Sequence, residues 1–140
     1  MPSKVVRIIP KRTYDYSATM ASSAAISFWV VKRFDISQYK EVTLVAHLHD
    51  WGTIENGQAI KIALYNDGYT EEDPTTEFYE DLEKSCAFDQ AADSAPYLRM
   101  AVATSARKAL VANIAVKVTL TQGNQAACSA VVSADLILRD

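Results

Sequence analysis

LVANIAVKVTLTQGNQAACSAVVSADLIL, residues 110–138, alternates apolar and polar side chains for long enough to fix strand and face together. Before the turn Leu110, Ala112, Ile114, Val116, Val118 and Leu120 fall on even positions, and Asn113, Ala115, Lys117 and Thr119 on odd ones. After it Cys128, Ala130, Val132, Ala134, Leu136 and Leu138 are again even. Successive side chains of a strand point to opposite faces, so this pattern predicts two half-buried strands. The link Thr121-Gln122-Gly123-Asn124-Gln125 has the odd length that sets even residues opposite even ones, and Gly123 tolerates the positive φ of a turn. The reading is an antiparallel hairpin that pairs Val118 with Cys128, Val116 with Ala130 and Ile114 with Val132.

Working outward, residues 97–103 place Leu98, Met100 and Val102 on one parity and are expected to form a third consecutive strand with those three side chains inward. Residues 24–31 are apolar on both parities and read as a central strand. Val42, Leu44, Ala46 and Leu48 form one inward row and Ile60, Ile62 and Leu64 the next. Between them lies Asn56-Gly57, a strong hairpin signal of the wrong parity for a simple turn, so a bulge at Trp51-Gly52 or a longer loop is expected. Residues 67–83 are rich in Asp and Glu and read as solvated surface, with Phe78 and Leu82 on one helical turn or a short edge strand. Seven to nine strands without a sustained helix make an all-β chain: an antiparallel two-sheet β-sandwich of jelly-roll type, with a closed barrel as the alternative.

The first 23 residues stand apart. Val5, Val6, Ile8 and Ile9 carry enough apolar surface to add a strand to a sheet edge, and Lys11 and Arg12 suit an acidic partner. Pro10 stops regular pairing, and the polar run that follows lacks periodicity. The expected organisation is an extended N-terminal arm over residues 1–23 and a sandwich domain over 24–140, with deletion of the arm leaving the domain folded.

At 140 residues the chain is long enough to bury one sizeable core without a metal or disulfide staple. A net charge of −3 disfavours nonspecific nucleic-acid binding, and no apolar run is long enough to cross a membrane as a helix. The N-terminus shows no signal-peptide core, which points to synthesis in the cytoplasm. Two cysteines, Cys86 and Cys128, are too few for a disulfide scaffold and read as free thiols.

Chemistry-bearing patterns are sparse. His47 and His49 share a strand face and so make a candidate metal pair, with Glu55 nearby; the spacing is similar to that of cupins, but there is no third histidine. Two histidines on a surface or at an interface are the plainer reading, and no cofactor is expected. The acidic span lacks calcium-loop spacing, and no phosphate-binding loop or nucleophile elbow occurs. Trp51, Tyr65, Tyr69 and Tyr79 are read as exposed aromatics that suit subunit contact or, as an alternative, sugar stacking.

Three segments carry a family resemblance: Phe34-Asp35-Ile36-Ser37-Gln38-Tyr39-Lys40-Glu41-Val42-Thr43-Leu44, Glu72-Asp73-Pro74-Thr75-Thr76-Glu77-Phe78 and Ala134-Asp135-Leu136-Ile137-Leu138-Arg139-Asp140. Together they resemble small β-sandwich structural proteins of tailed bacteriophages, in particular capsid decoration proteins. The resemblance implies a non-enzymatic virion protein that binds and stabilises the major capsid protein shell, with homo-oligomerisation and with neither nucleic acid nor membrane as partner. A carbohydrate-binding module is the second reading and a cupin-like metal-dependent enzyme the third.

Overall fold

The computed structural model describes residues 3–15, 25–51, 58–68, 78–90, 93–104, 113–121 and 129–140. Eight strands cover most of them: β1 (Lys4–Asp15), β2 (Ala25–Asp35), β3 (Glu41–Trp51), β4 (Ala59–Gly68), β5 (Phe78–Asp89), β6 (Tyr97–Thr104), β7 (Asn113–Thr121) and β8 (Ser129–Arg139). They form two four-stranded sheets, one in the order β1-β8-β3-β6 (sheet I) and one in the order β2-β7-β4-β5 (sheet II), antiparallel throughout. Apart from β4 to β5, every step along the chain changes sheet, the interleaving of an eight-stranded jelly roll.

The alternating stretch does form two strands with their even residues buried, among them Ile114, Val116, Val118, Val132 and Leu136. They are not a hairpin. β7 pairs with β2 and β4, and β8 with β1 and β3, so the two even-numbered rows meet face to face across the core. Val116 lies beside Leu64 and Val31 in one sheet, and Val132 beside Leu48 in the other. Parity could not separate the two arrangements, because a hairpin and a pair of opposed sheets both bring even residues together. Cys128, Leu110 and Ala112 lie outside the described residues.

The same crossing removes the conflict at Asn56-Gly57, which is also outside the described residues: β3 and β4 belong to different sheets, so their parities need not match. β2 is an edge strand rather than a central one. Phe78 and Leu82 belong to strand β5, not to a helical turn. Asp67 is buried rather than solvated, because its Oδ2 accepts the Arg33 N–H at 2.6 Å.

The expected arm is, over Lys4–Asp15, the outer strand of sheet I, paired with β8 from Lys4↔Leu138 to Asp15↔Ser129. Pro10 sits where the register shifts between Ile9 and Arg12, on an edge strand with shifted register, where a missing N–H is tolerated. Ile9 and Tyr14 are buried in the core. Removing β1 would therefore open that core and expose one side of β8.

Candidate functional site

The inward faces are apolar and leave little room for chemistry. Cys86 is a free thiol against this core, and burial pushes it up to about 11, so it stays protonated near neutral pH. What distinguishes the molecule is the outward face of each sheet.

On sheet I the outward residues form cross-strand rows. Val102 lies beside Thr43, Thr43 beside Ile137, and Ile137 beside Val5. The next row runs Met100, Val45, Asp135, Arg7, and the third runs Leu98, His47, Ser133. Leu98 is 53% exposed, Met100 62%, Val102 39% and Val5 64%. The expectation that Leu98, Met100 and Val102 point inward is thus reversed. β6 is registered so that Ala103 and Ala101 lie opposite the buried Val42 and Leu44, which turns these alanines to the core and Leu98, Met100 and Val102 to solvent. An ion pair, Arg7 Nε to Asp135 Oδ1 at 2.6 Å, completes the second row, and another, Arg139 Nη1 to Glu41 Oε2 at 2.8 Å, borders the first.

His47 and His49 also lie on this sheet, half-buried, with ring centroids 3.9 Å apart. His49 Nε2 hydrogen-bonds with Ser133 Oγ at 2.8 Å. Burial, then the charges of His47, Lys11 and Arg7, lower the His49 pKa from its ordinary value. Among the described residues no three His, Cys, Asp or Glu side chains are placed to hold a metal ion, and Glu55 is outside them.

On sheet II the outward face carries an aromatic cluster. Trp29 stacks on Tyr79 with centroids 4.2 Å apart and planes 22° apart, and meets Tyr65 edge-on at 5.1 Å. Lys117 Nζ stands 4.7 Å from the Tyr65 ring and 5.3 Å from the Trp29 ring, within cation–π range. Of the four expected exposed aromatics, the structure unites Tyr65 and Tyr79. Tyr69 is outside the described residues. Trp51 is 8% exposed, and its indole N–H donates to the Asp93 carbonyl at 2.9 Å, so it closes one end of the core instead of facing a partner. Trp29 was missed because residues 24–31 read as a strand covered on both faces.

The remaining candidates lie on β1. Val5 points outward, Val6 and Ile8 are half-buried against the core, and Ile9 is buried. Lys11 and Arg12 are exposed, with the Arg12 guanidinium 4.7 Å from the Tyr14 ring centroid.

No family model matches the chain, and no curated protein matches it. Among solved structures it is similar to that of infectious bursal disease virus, Gx strain, at 11% identity and a TM-score of 0.55, over 98% of this chain and 31% of that one. The chain thus spans about a third of that protein's length. It is also similar to the decameric BFDV capsid protein (10% identity, TM-score 0.45, 99% of this chain and 100% of that one). A third likeness is to the xylan-binding module CBM15 (12% identity, TM-score 0.43, 98% of this chain and 97% of that one). Viral capsid proteins and carbohydrate-binding modules thus both occur among its structural neighbours, and at these identities the likeness is one of fold.

Proposed function

We propose that this chain is a non-enzymatic structural subunit of a viral particle, a decoration subunit that binds and stabilises the major capsid protein shell. The observation that carries this reading is the outward face of sheet I, where Val5, Leu98, Met100 and Val102 stand exposed beside Val45 and Ile137. Exposed apolar side chains interleaved with one ion pair and bordered by a second are the make-up of a protein contact, in which the apolar area excludes water and the charges set orientation. The resemblance of residues 34–44, 72–78 and 134–140 to phage decoration proteins supports the particle as the setting.

The test is co-sedimentation with particles purified from a culture that carries this gene, using the wild-type chain and Val45→Glu/Ile137→Glu. The wild type should pellet with the shell in stoichiometric amount, and the variant, with its fold confirmed by circular dichroism, should stay in the supernatant. A wild-type chain that never pellets, or a variant that pellets equally, overturns the reading.

A carbohydrate-binding module has one specific observation in its favour, the Trp29, Tyr65 and Tyr79 cluster. Sugar stacking needs a free ring face, however, and these rings spend faces on one another and on Lys117. Retardation in xylan or cellulose gels that is lost in Trp29→Ala would restore this second reading.

A further inference from the structure

Each sheet has two edges, and the four edge strands β1, β2, β5 and β6 are not built alike. An edge presents unpaired N–H and C=O groups, and proteins guard such edges with charges, proline and bulges. β1 has Lys4, Arg7, Pro10, Lys11 and Arg12 and two register shifts. β2 has Lys32, Arg33 and Asp35, two register shifts, and Arg33 at a φ of 50°. β5 has Glu80, Asp81, Glu83 and Lys84, one register shift, and Glu83 at a φ of 58°. β6 has the fewest of these devices. Its eight residues pair with β3 without a register shift, and its single charge, Arg99, is held by Asp93 Oδ1 at 2.9 Å. Among the described residues no strand lies on its other side.

There is also room beside it. A groove of about 530 Å³ runs along this edge, lined by Ser85, Ala87, Tyr97, Leu98, Arg99 and Met100. The β5 residues that border it, Ser85 and Ala87, are small and uncharged, so an approaching strand meets neither bulk nor charge there.

We propose that β6 is a self-association edge, at which two copies of this chain pair their β6 strands antiparallel about a two-fold axis at Met100. The sequence of the strand fits itself in this register. Leu98 falls opposite Val102, Met100 opposite Met100, Tyr97 opposite Ala103 and Arg99 opposite Ala101, so apolar residues meet and no like charges are opposed. Pairing joins the two sheet I layers into one eight-stranded sheet and doubles the apolar outward face. The inference does not rest on the virion reading, since it concerns the free chain in solution.

Two measurements test it. Met100→Cys, in a Cys128→Ser background, sets two thiols at the axis with Cα atoms about 5 Å apart, within disulfide reach. Mild oxidation should link it into dimers, while Lys61→Cys on the outward face of sheet II stays unlinked. In sedimentation equilibrium Leu98→Lys/Val102→Lys should weaken self-association about tenfold or more by opposing like charges. Leu98→Glu/Val102→Glu should do the same, and a mixture of the two variants should restore the dimer. A wild-type chain that is monomeric at all concentrations overturns the proposal. So does a dimer that survives both variants, or a Met100→Cys chain linked no more than Lys61→Cys.

Discussion

The two outward faces are made from the same strand geometry and reach opposite ends. On sheet II Trp29, Tyr65, Tyr79 and Lys117 cover one another, so the aromatic surface is consumed within the molecule. On sheet I the large apolar residues of β6 have only smaller or polar cross-strand neighbours, and Leu98 and Met100 stay more than half exposed. Exposed apolar area costs free energy in water wherever it stands, and a face that does not cover itself is stabilised by covering from outside. The contrast is between a face that covers itself and a face whose apolar residues stay open.

The largest effect tests whether sheet I has an inside and an outside as drawn. Leu136 and Ile137 are neighbours on β8, the first buried in the core and the second on the outward row with Thr43 and Val5. Leu136→Asn leaves a cavity and an unpaired amide and should cost about 4 kcal/mol. Ile137→Asn should cost about 1 kcal/mol or less. Urea denaturation of the two variants measures both, and equal losses would mean that the outward row is packed as core.

Much of this was legible before the structure and some was not, for a reason those two residues illustrate. Alternation tells which face a residue shares with its neighbours two places away, so the burial of Ile114, Val116, Val132 and Leu136 could be read directly. It does not tell which strand lies alongside, so β7 and β8 were joined as a hairpin although each pairs within a different sheet. Nor does it tell which of two opposite apolar sets goes inside. On β6 Leu98, Met100 and Val102 outweigh Ala101 and Ala103, yet register with β3 sends the alanines inward. The exposed apolar face was therefore hidden behind the very rule that located the core. Trp29 was obscured in the same way, because an outward aromatic cluster and a covered second face look alike in one strand's sequence.

A smaller effect tests the other half of the contrast. Trp29→Ala removes the stacked contact with Tyr79 and the edge contact with Tyr65, and should cost about 2 kcal/mol of stability. Met100→Ala, at a comparably large side chain on the other outward face, should change stability by about 0.5 kcal/mol or less. Thermal melting of both variants at a concentration where the chain is monomeric separates the two faces. If Trp29→Ala is neutral and Met100→Ala costly, the roles assigned to the faces exchange.

The smallest expected effect is a pH dependence that belongs to sheet I alone. His49 is half-buried beside His47, within the field of Lys11 and Arg7 from β1, and bonded to Ser133 on β8. Burial first, and these cations next, depress its folded-state pKa below the unfolded value of about 6.5. The unfolded chain therefore takes up the proton first as pH falls, and the native state loses stability between that value and the lower folded one. Above the unfolded value the contribution is fully present, and below the folded value its loss is complete. Melting temperature should decline as pH drops from 7.5 towards 5, and His49→Asn should flatten that part of the decline while keeping a polar group for Ser133. Trp29→Ala, whose site holds no histidine, should shift the whole curve and leave its slope alone. A His49→Asn curve as steep as the wild type would place the titrating group elsewhere and remove the pH dependence from the sheet I face.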